Sequence, residues 1–127
     1  MTRDAVSTSS APAAIGPYSQ GIASDGLLFC SGQIGLEPAS GDLVEGLEAQ
    51  TERALRNIAA ILDASGLSMA DVVKTTIFLT DMNDFGSVNA IYAKHVVDPP
   101  PARSTVAVAA LPKGARIEIE AIARRRS

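Results

Sequence analysis

The stretch PPPARSTVAVAALPKGARIEIEAIAR, residues Pro99 to Arg124, joins a proline run, an arginine and two strand-forming segments. Pro99, Pro100 and Pro101 cannot extend a helix; they form a stiff, extended lead-in that delivers Arg103 to the mouth of a strand. Its guanidinium is planar and always charged, and its fork of donors matches a carboxylate at two points, which lysine cannot do. Downstream, Ile117, Ile119 and Ala121 alternate with Glu118, Glu120 and Ile122, the period-two pattern of a strand with one apolar face and carboxylates on the other. Arg103 gripping a substrate carboxylate and Glu118 handling a proton or a water would make a small-molecule site. The alternative for the same residues is a surface arginine and two solvated glutamates. The last two strands are expected over Ser104–Leu111 and Ala115–Ala123, connected by Pro112-Lys113-Gly114. In a tight hairpin, Glu118 would face Val108 and Arg103 would lie about 16 Å further along, too far to share a ligand. Either another strand lies between them or the pair is completed between subunits; both routes put the site at or near an interface.

Working outward, Phe85, Val88, Ile91, Tyr92 and Val96 give an apolar stripe to a helix that starts from a turn at Asp81–Asn83. Asn89 lies off that stripe, free to bond a ligand or simply solvated. Val72–Thr80 is rich in Val, Thr, Ile and Phe and reads as a strand, preceded by a single turn at Ser68–Asp71. The strongest helix starts near Gly46: Leu47, Ala54, Leu55, Ile58, Ile61 and Leu62 recur at three and four, with Glu48, Glu52, Arg53, Arg56 and Asn57 toward water. Glu52 and Arg56 form an i,i+4 pair, and Gly66-Leu67 is its stop. Asp25-Gly26 is a hairpin turn ahead of a buried strand at Leu27–Cys30. In the Ser31-Gly32-Gln33 that follows, glycine either lets the backbone approach a ligand, with the Ser31 hydroxyl and local amides as donors, or merely serves a strand bend. Gly16-Pro17-Tyr18 marks a turn that aims a phenolic hydroxyl or packs a ring, before a short strand to Ile22. Residues 1–14 are expected to form a loosely held arm.

With 127 residues, 46% of them hydrophobic, the chain reads as a single domain over residues 1–127. The opening MTRDAVSTSSAP has no apolar signal-peptide core and no run is long enough to span a bilayer, so a soluble, cytoplasmic protein with no membrane partner is expected. The lone cysteine, Cys30, excludes an intramolecular disulfide and reads as a buried small hydrophobe. A single histidine, His95, and no tryptophan remove Ser-His-Asp triads and multi-histidine metal sites as a group, so no metal is expected and His95 is read as a packing or surface residue. The net charge of -3 opposes a general attraction to phosphate backbones, although Arg124, Arg125 and Arg126 make a small basic tail; nucleic acid is not the expected partner.

Interleaved strands and two amphipathic helices give an α+β fold with both helices on one face of a sheet. The other face would then expose either Thr105, Ala107 and Ala109 or Val106 and Val108, and an open apolar face is expected to be buried against other copies of the chain.

Four segments complete the picture: APAAIGPYSQG (Ala11–Gly21), SGQIG (Ser31–Gly35), VVKTTIFLTDMNDFGSVNAIYA (Val72–Ala93) and PPARSTVAVAALPKGARIEIEAIA (Pro100–Ala123). Together they resemble the RidA/YjgF family of imine and enamine deaminases, over nearly the whole chain from Pro12 to Arg124. The resemblance implies a mixed six-stranded sheet with two helices outside, assembled as a homotrimer with clefts between subunits, similar to the bacterial chorismate mutase trimer. It implies hydrolysis of 2-imino or 2-enamino acids, such as 2-iminobutanoate and 2-iminopropanoate, to 2-keto acids and ammonia, with no cofactor. Carried over by motif, Arg103 is the carboxylate-binding residue and Glu118 the water-positioning one, while Tyr18, Ser31, Gly32, Asn89 and Thr105 contact the substrate. Thr105 stands where several members have cysteine, which removes any thiol-based role. Two other readings accompany the family: an RNA-directed endoribonuclease or translation inhibitor, as some relatives have been described, and a non-catalytic keto-acid-binding protein.

Overall fold

The computed structural model describes residues 2–126. Asp4–Val6 forms an edge strand, β1, antiparallel to β2 (Gly21–Ser24), so the expected loose arm is overturned. One buried amide holds it. Gln20 accepts the Thr8 N–H at 2.7 Å and shares its Nε2 protons among the carbonyls of Thr8, Ala11 and Pro12 at 3.0, 3.3 and 2.7 Å. These bonds tie backbone groups of a largely exposed arm to a side chain that is itself buried and needs partners.

Asp25 and Gly26 both take positive φ, 51° and 79°, the type I′ geometry that folds β2 onto β3 (Leu27–Gln33). Helix α1 (Leu47–Ala64) ends where the N–H groups of Gly66 and Leu67 return to the carbonyls of Asp63 and Leu62, a Schellman closure. A capped turn at Met69–Asp71 leads into β4 (Val72–Leu79), and a second turn leads into α2 (Phe85–Tyr92). Strands β5 (Ala102–Ala107) and β6 (Ile117–Arg124) complete the sheet, with β5 starting directly after the proline run and stopping short of Leu111.

The strand order is β1-β2-β3-β6-β4-β5. β4 and β5 run parallel, connected by α2, while the other neighbours are antiparallel, so the sheet is mixed. The last two strands are therefore not a hairpin, because β4 lies between them. Both helices pack on one face. There Ile117, Ile119, Ala121 and Ala123 of β6, Ile77 and Leu79 of β4, and Leu28 and Cys30 of β3 are buried with Ala54, Leu55, Ile58, Ile61 and Leu62 of α1. Each fully buried Leu or Ile there contributes about 1.5–3 kcal/mol of transfer free energy. Burial also pushes the Cys30 thiol up to about 12, which keeps it an inert packing group.

Asn57 does not face water. It is fully buried; its Nδ2 donates to the carbonyls of Ile34 and Leu36 at 3.2 and 3.0 Å, and Arg53 Nε donates to its Oδ1 at 3.1 Å. Helical spacing places Asn57 on a face but does not reveal that the loop after β3 crosses that face. His95 ties the turn that follows α2 to α1, its Nε2 lying 2.8 Å from Glu52 Oε1.

On the opposite side the sheet is uncovered. Phe29 and Val106 are 43% and 42% exposed there. Register decides which residues of β5 lie on it: Val106 pairs with Phe78, as does Glu118 from the other side, so Val106 shares the open face while Arg103 and Thr105 point toward the helices.

Candidate active site

Glu118 sits on β6 between fully buried Ile117 and Ile119, so its carboxylate is directed to the open face. It folds back over β3. Pairing between β3 and β6 slips between Cys30 and Gln33, leaving Ser31 and Gly32 as a bulge. A Cβ on Gly32 would stand 2.8 Å from Glu118 Cδ, so glycine is what permits the carboxylate to lie against the backbone. Burial raises the Glu118 pKa above its ordinary value, and the neighbouring Glu120 carboxylate raises it further.

Around this carboxylate lies a cleft of about 690 Å³. Tyr18, Ser31, Gly32 and Glu120 line it with Glu118; Pro12, Ile15, Ile34 and Leu36 form an apolar wall, and Lys113 stands on its rim. Ser31 is less free than its hydroxyl implied: its Oγ donates to the Ser19 carbonyl at 2.6 Å and its N–H to the Gln20 carbonyl at 2.9 Å. Its work is to hold the loop that carries Tyr18, a residue that is 53% exposed and lines the cleft.

Arg103 lies elsewhere. It pairs with Thr75, three residues along β4 from the row that contains Glu118, and two strands away from β6. That is about 10 Å along the strands and about 10 Å across them, with the side chains on opposite faces of the sheet. Its guanidinium rests on one face of α2: Cζ is 5.4 Å from the Phe85 ring centre and 5.0 Å from that of Tyr92, and Nη1 donates to Asn89 Oδ1 at 2.6 Å. Among the described residues no carboxylate lies within ion-pair distance of it, and Asn89 takes only one of its donors. Thr105, two residues on, carries a buried Oγ1 with no hydrogen-bond partner among the described residues.

The site residues thus fall into two groups. Tyr18, Ser31, Gly32 and Glu118 share the cleft on the open face; Arg103, Asn89 and Thr105 gather at the β5 edge on the helix side. In the sequence Phe85 and Tyr92 stand only as members of the apolar stripe of α2. Their spacing with Asn89, at 85, 89 and 92, is the i, i+4, i+7 signature of a single helical face and was the available signal. Ile15, Leu36 and Lys113 had no such signal, since they reach the cleft from separate loops.

A mixed six-stranded sheet backed by two helices, with a carboxylate in one cleft and, among the described residues, a guanidinium without a carboxylate partner at the far edge, defines a class of α+β domain whose charged side chains come from separate strands. Residues 8–125 match the family model described as Endoribonuclease L-PSP. The chain is 52% identical over 124 residues to the 2-iminobutanoate/2-iminopropanoate deaminase of Mus musculus, covering 97% of this chain and 92% of the relative. Among solved structures it is 47% identical to the YjgF gene product of E. coli, with a TM-score of 0.91 and coverage of 97% of this chain and 99% of that one. It is 42% identical to E. coli TdcF with bound serine, again with a TM-score of 0.91 and coverage of 97% and 99%. The chain belongs to the endoribonuclease L-PSP family, the RidA/YjgF family that its motifs resemble.

Proposed function

We propose that the chain is a 2-iminobutanoate/2-iminopropanoate deaminase that hydrolyses 2-imino and 2-enamino acids to 2-keto acids and ammonia. The observation that carries this reading is a division of labour. The cleft around Glu118 holds a carboxylate partly withdrawn from water, and Arg103 presents a guanidinium with no anionic partner among the described residues. The name of the mouse relative and the amino acid bound in TdcF point the same way.

In this reading a homotrimer closes the site: the open face of one copy meets the β5 edge of the next, so that Arg103 of one protomer faces Glu118 of another. The exposed Phe29 and Val106 supply apolar surface for such a contact. Arg103 binds the substrate carboxylate by paired charge-assisted hydrogen bonds. An enamine substrate first tautomerises to the imine. Glu118 then accepts a proton from a water as the water oxygen bonds to C2, giving a carbinolamine; the proton passes to nitrogen, the C–N bond breaks, and ammonia leaves with the 2-keto acid. Positioning supplies much of the acceleration, since imines hydrolyse readily in water. Tyr18, Asn89 and Thr105 hold the ligand. The cytoplasm is the compartment this reading assumes, in keeping with a single buried thiol.

An RNA-directed activity is not favoured. Arg125 donates to the Ser65 carbonyl at 2.8 Å and Arg126 pairs with Asp71 at 2.7 Å, so two arginines of the basic tail are held by the chain itself. His95, the sole histidine, is engaged with Glu52. The deciding experiment generates 2-iminobutanoate in a coupled assay: Arg103→Ala and Glu118→Gln should each abolish accelerated imine decay, and undiminished turnover by either variant rejects the assignment. Tight 2-oxobutanoate binding by a parent without turnover selects the non-catalytic reading.

A further inference from the structure

Arg103 is a long side chain that must present its donors in one plane to grip a carboxylate at two points, and freezing it at the moment of binding is costly. Three contacts around Arg103 bear on that cost. Thr75, the β4 residue directly across from Arg103 in the parallel register, is buried, and its Oγ1 lies 2.6 Å from the hydroxyl of Tyr92, which is also buried. The ring held by that bond is the one on which the Arg103 guanidinium rests at 5.0 Å. Backbone pairing, the hydroxyl pair and the cation–ring contact therefore close a loop from Arg103 through Thr75 and Tyr92 back to Arg103.

Resting on the reading of Arg103 as the carboxylate anchor, we infer that Tyr92, tethered by Thr75, is a positioning residue that sets the plane of the Arg103 guanidinium. The surroundings argue for a purpose beyond packing. Tyr92 sits among Leu47, Leu55, Ile77 and Val88, where a Phe and Val pair would fill similar space without the need to pair two hydroxyls in an apolar layer. What the hydroxyl pair adds is a fixed ring orientation. Asn89 and Phe85, one and two turns back along α2, bound the guanidinium at its other sides. The two elements that carry this loop, β4 and α2, are regular secondary structure buried against the core, so the anchor is presented ready-made.

The test compares Tyr92→Phe, Thr75→Val, their double variant and Thr75→Ser, with Arg103→Ala as the reference. Measurements are calorimetric affinity for 2-oxobutanoate, kcat and KM for the imine in the coupled assay, and the urea midpoint. Tyr92→Phe and Thr75→Val should each weaken 2-oxobutanoate binding and raise KM by about 3- to 10-fold, with the loss falling on KM rather than kcat. The double variant should be no worse than either single one, because both break one link, and Thr75→Ser should restore affinity. Parental affinity in Tyr92→Phe and Thr75→Val, alongside lost affinity in Arg103→Ala, overturns the inference and leaves the anchor standing; so does a lowered urea midpoint with unchanged KM, which is a purely structural role. Parental affinity in Arg103→Ala overturns the anchor itself, and the inference with it.

Discussion

Glu118, the base of the proposed reaction, is partly withdrawn from water, and its titration carries two opposite consequences. For activity, the proposed role needs the ionised form, so kcat/KM should fall as pH drops through a pKa that lies above the ordinary 4.5. That limb should vanish from whatever residual rate Glu118→Gln retains. For stability the sign reverses. A raised folded pKa means that the native chain still holds a proton the unfolded chain has released, so stability declines as pH rises from 4.5 through the folded value. Glu118→Gln should accordingly show a higher urea midpoint than the parent at pH 7, with the gap closing at pH 4. A lower midpoint at pH 7 would contradict burial as the cause of the shift. Gly32 acts on the same carboxylate from behind. In Gly32→Ala the new methyl meets only the mobile end of Glu118, so the midpoint should hardly move while the displaced carboxylate costs about 10- to 100-fold in kcat. Equal losses of stability and rate would show that Gly32 serves the fold instead.

At the scale of elements, α1 does more than cover the sheet. Through Asn57 it fixes the backbone at Ile34 and Leu36, and these two residues form part of the apolar wall of the cleft. Asn57→Leu keeps the branching of the side chain but adds bulk in a fully buried position and strands both carbonyls, and should lower unfolding free energy by about 2–4 kcal/mol in urea titration. A near-neutral result would mean that the loop finds other partners. The short α2 holds Arg103 with the three residues that share one of its faces, and it is also the crossover that makes β4 and β5 parallel. The element that places Arg103 is therefore the one that brings its strand to the sheet edge.

For the whole molecule, the decisive fact is that Glu118 and Arg103 lie on opposite faces of one sheet. If neighbouring copies complete each site, two inactive proteins should rescue one another. Arg103→Ala and Glu118→Gln chains, unfolded together and refolded at equal concentration, should recover about a quarter of parental activity, the fraction of ring contacts that receive an intact residue from each side. No recovery despite mixed assembly would mean that each chain needs both groups of its own.

Much of this was legible in the residues. The alternation around Glu118 gave its face, the apolar stripes gave both helices, Asp25-Gly26 gave the hairpin turn, and the motifs gave the family together with Arg103 and Glu118 as the pair to watch. Three things were settled only in the folded chain: the insertion of β4 between β5 and β6, the burial of Asn57 and Gln20 as staples for distant backbone, and the parity that separates Arg103 from Glu118. Periodicity relates side chains within one strand or helix, because it follows from local backbone geometry. Which strands are neighbours, in what register, and what crosses a given helix face depend on pairings between segments far apart in the chain, and no local pattern encodes them.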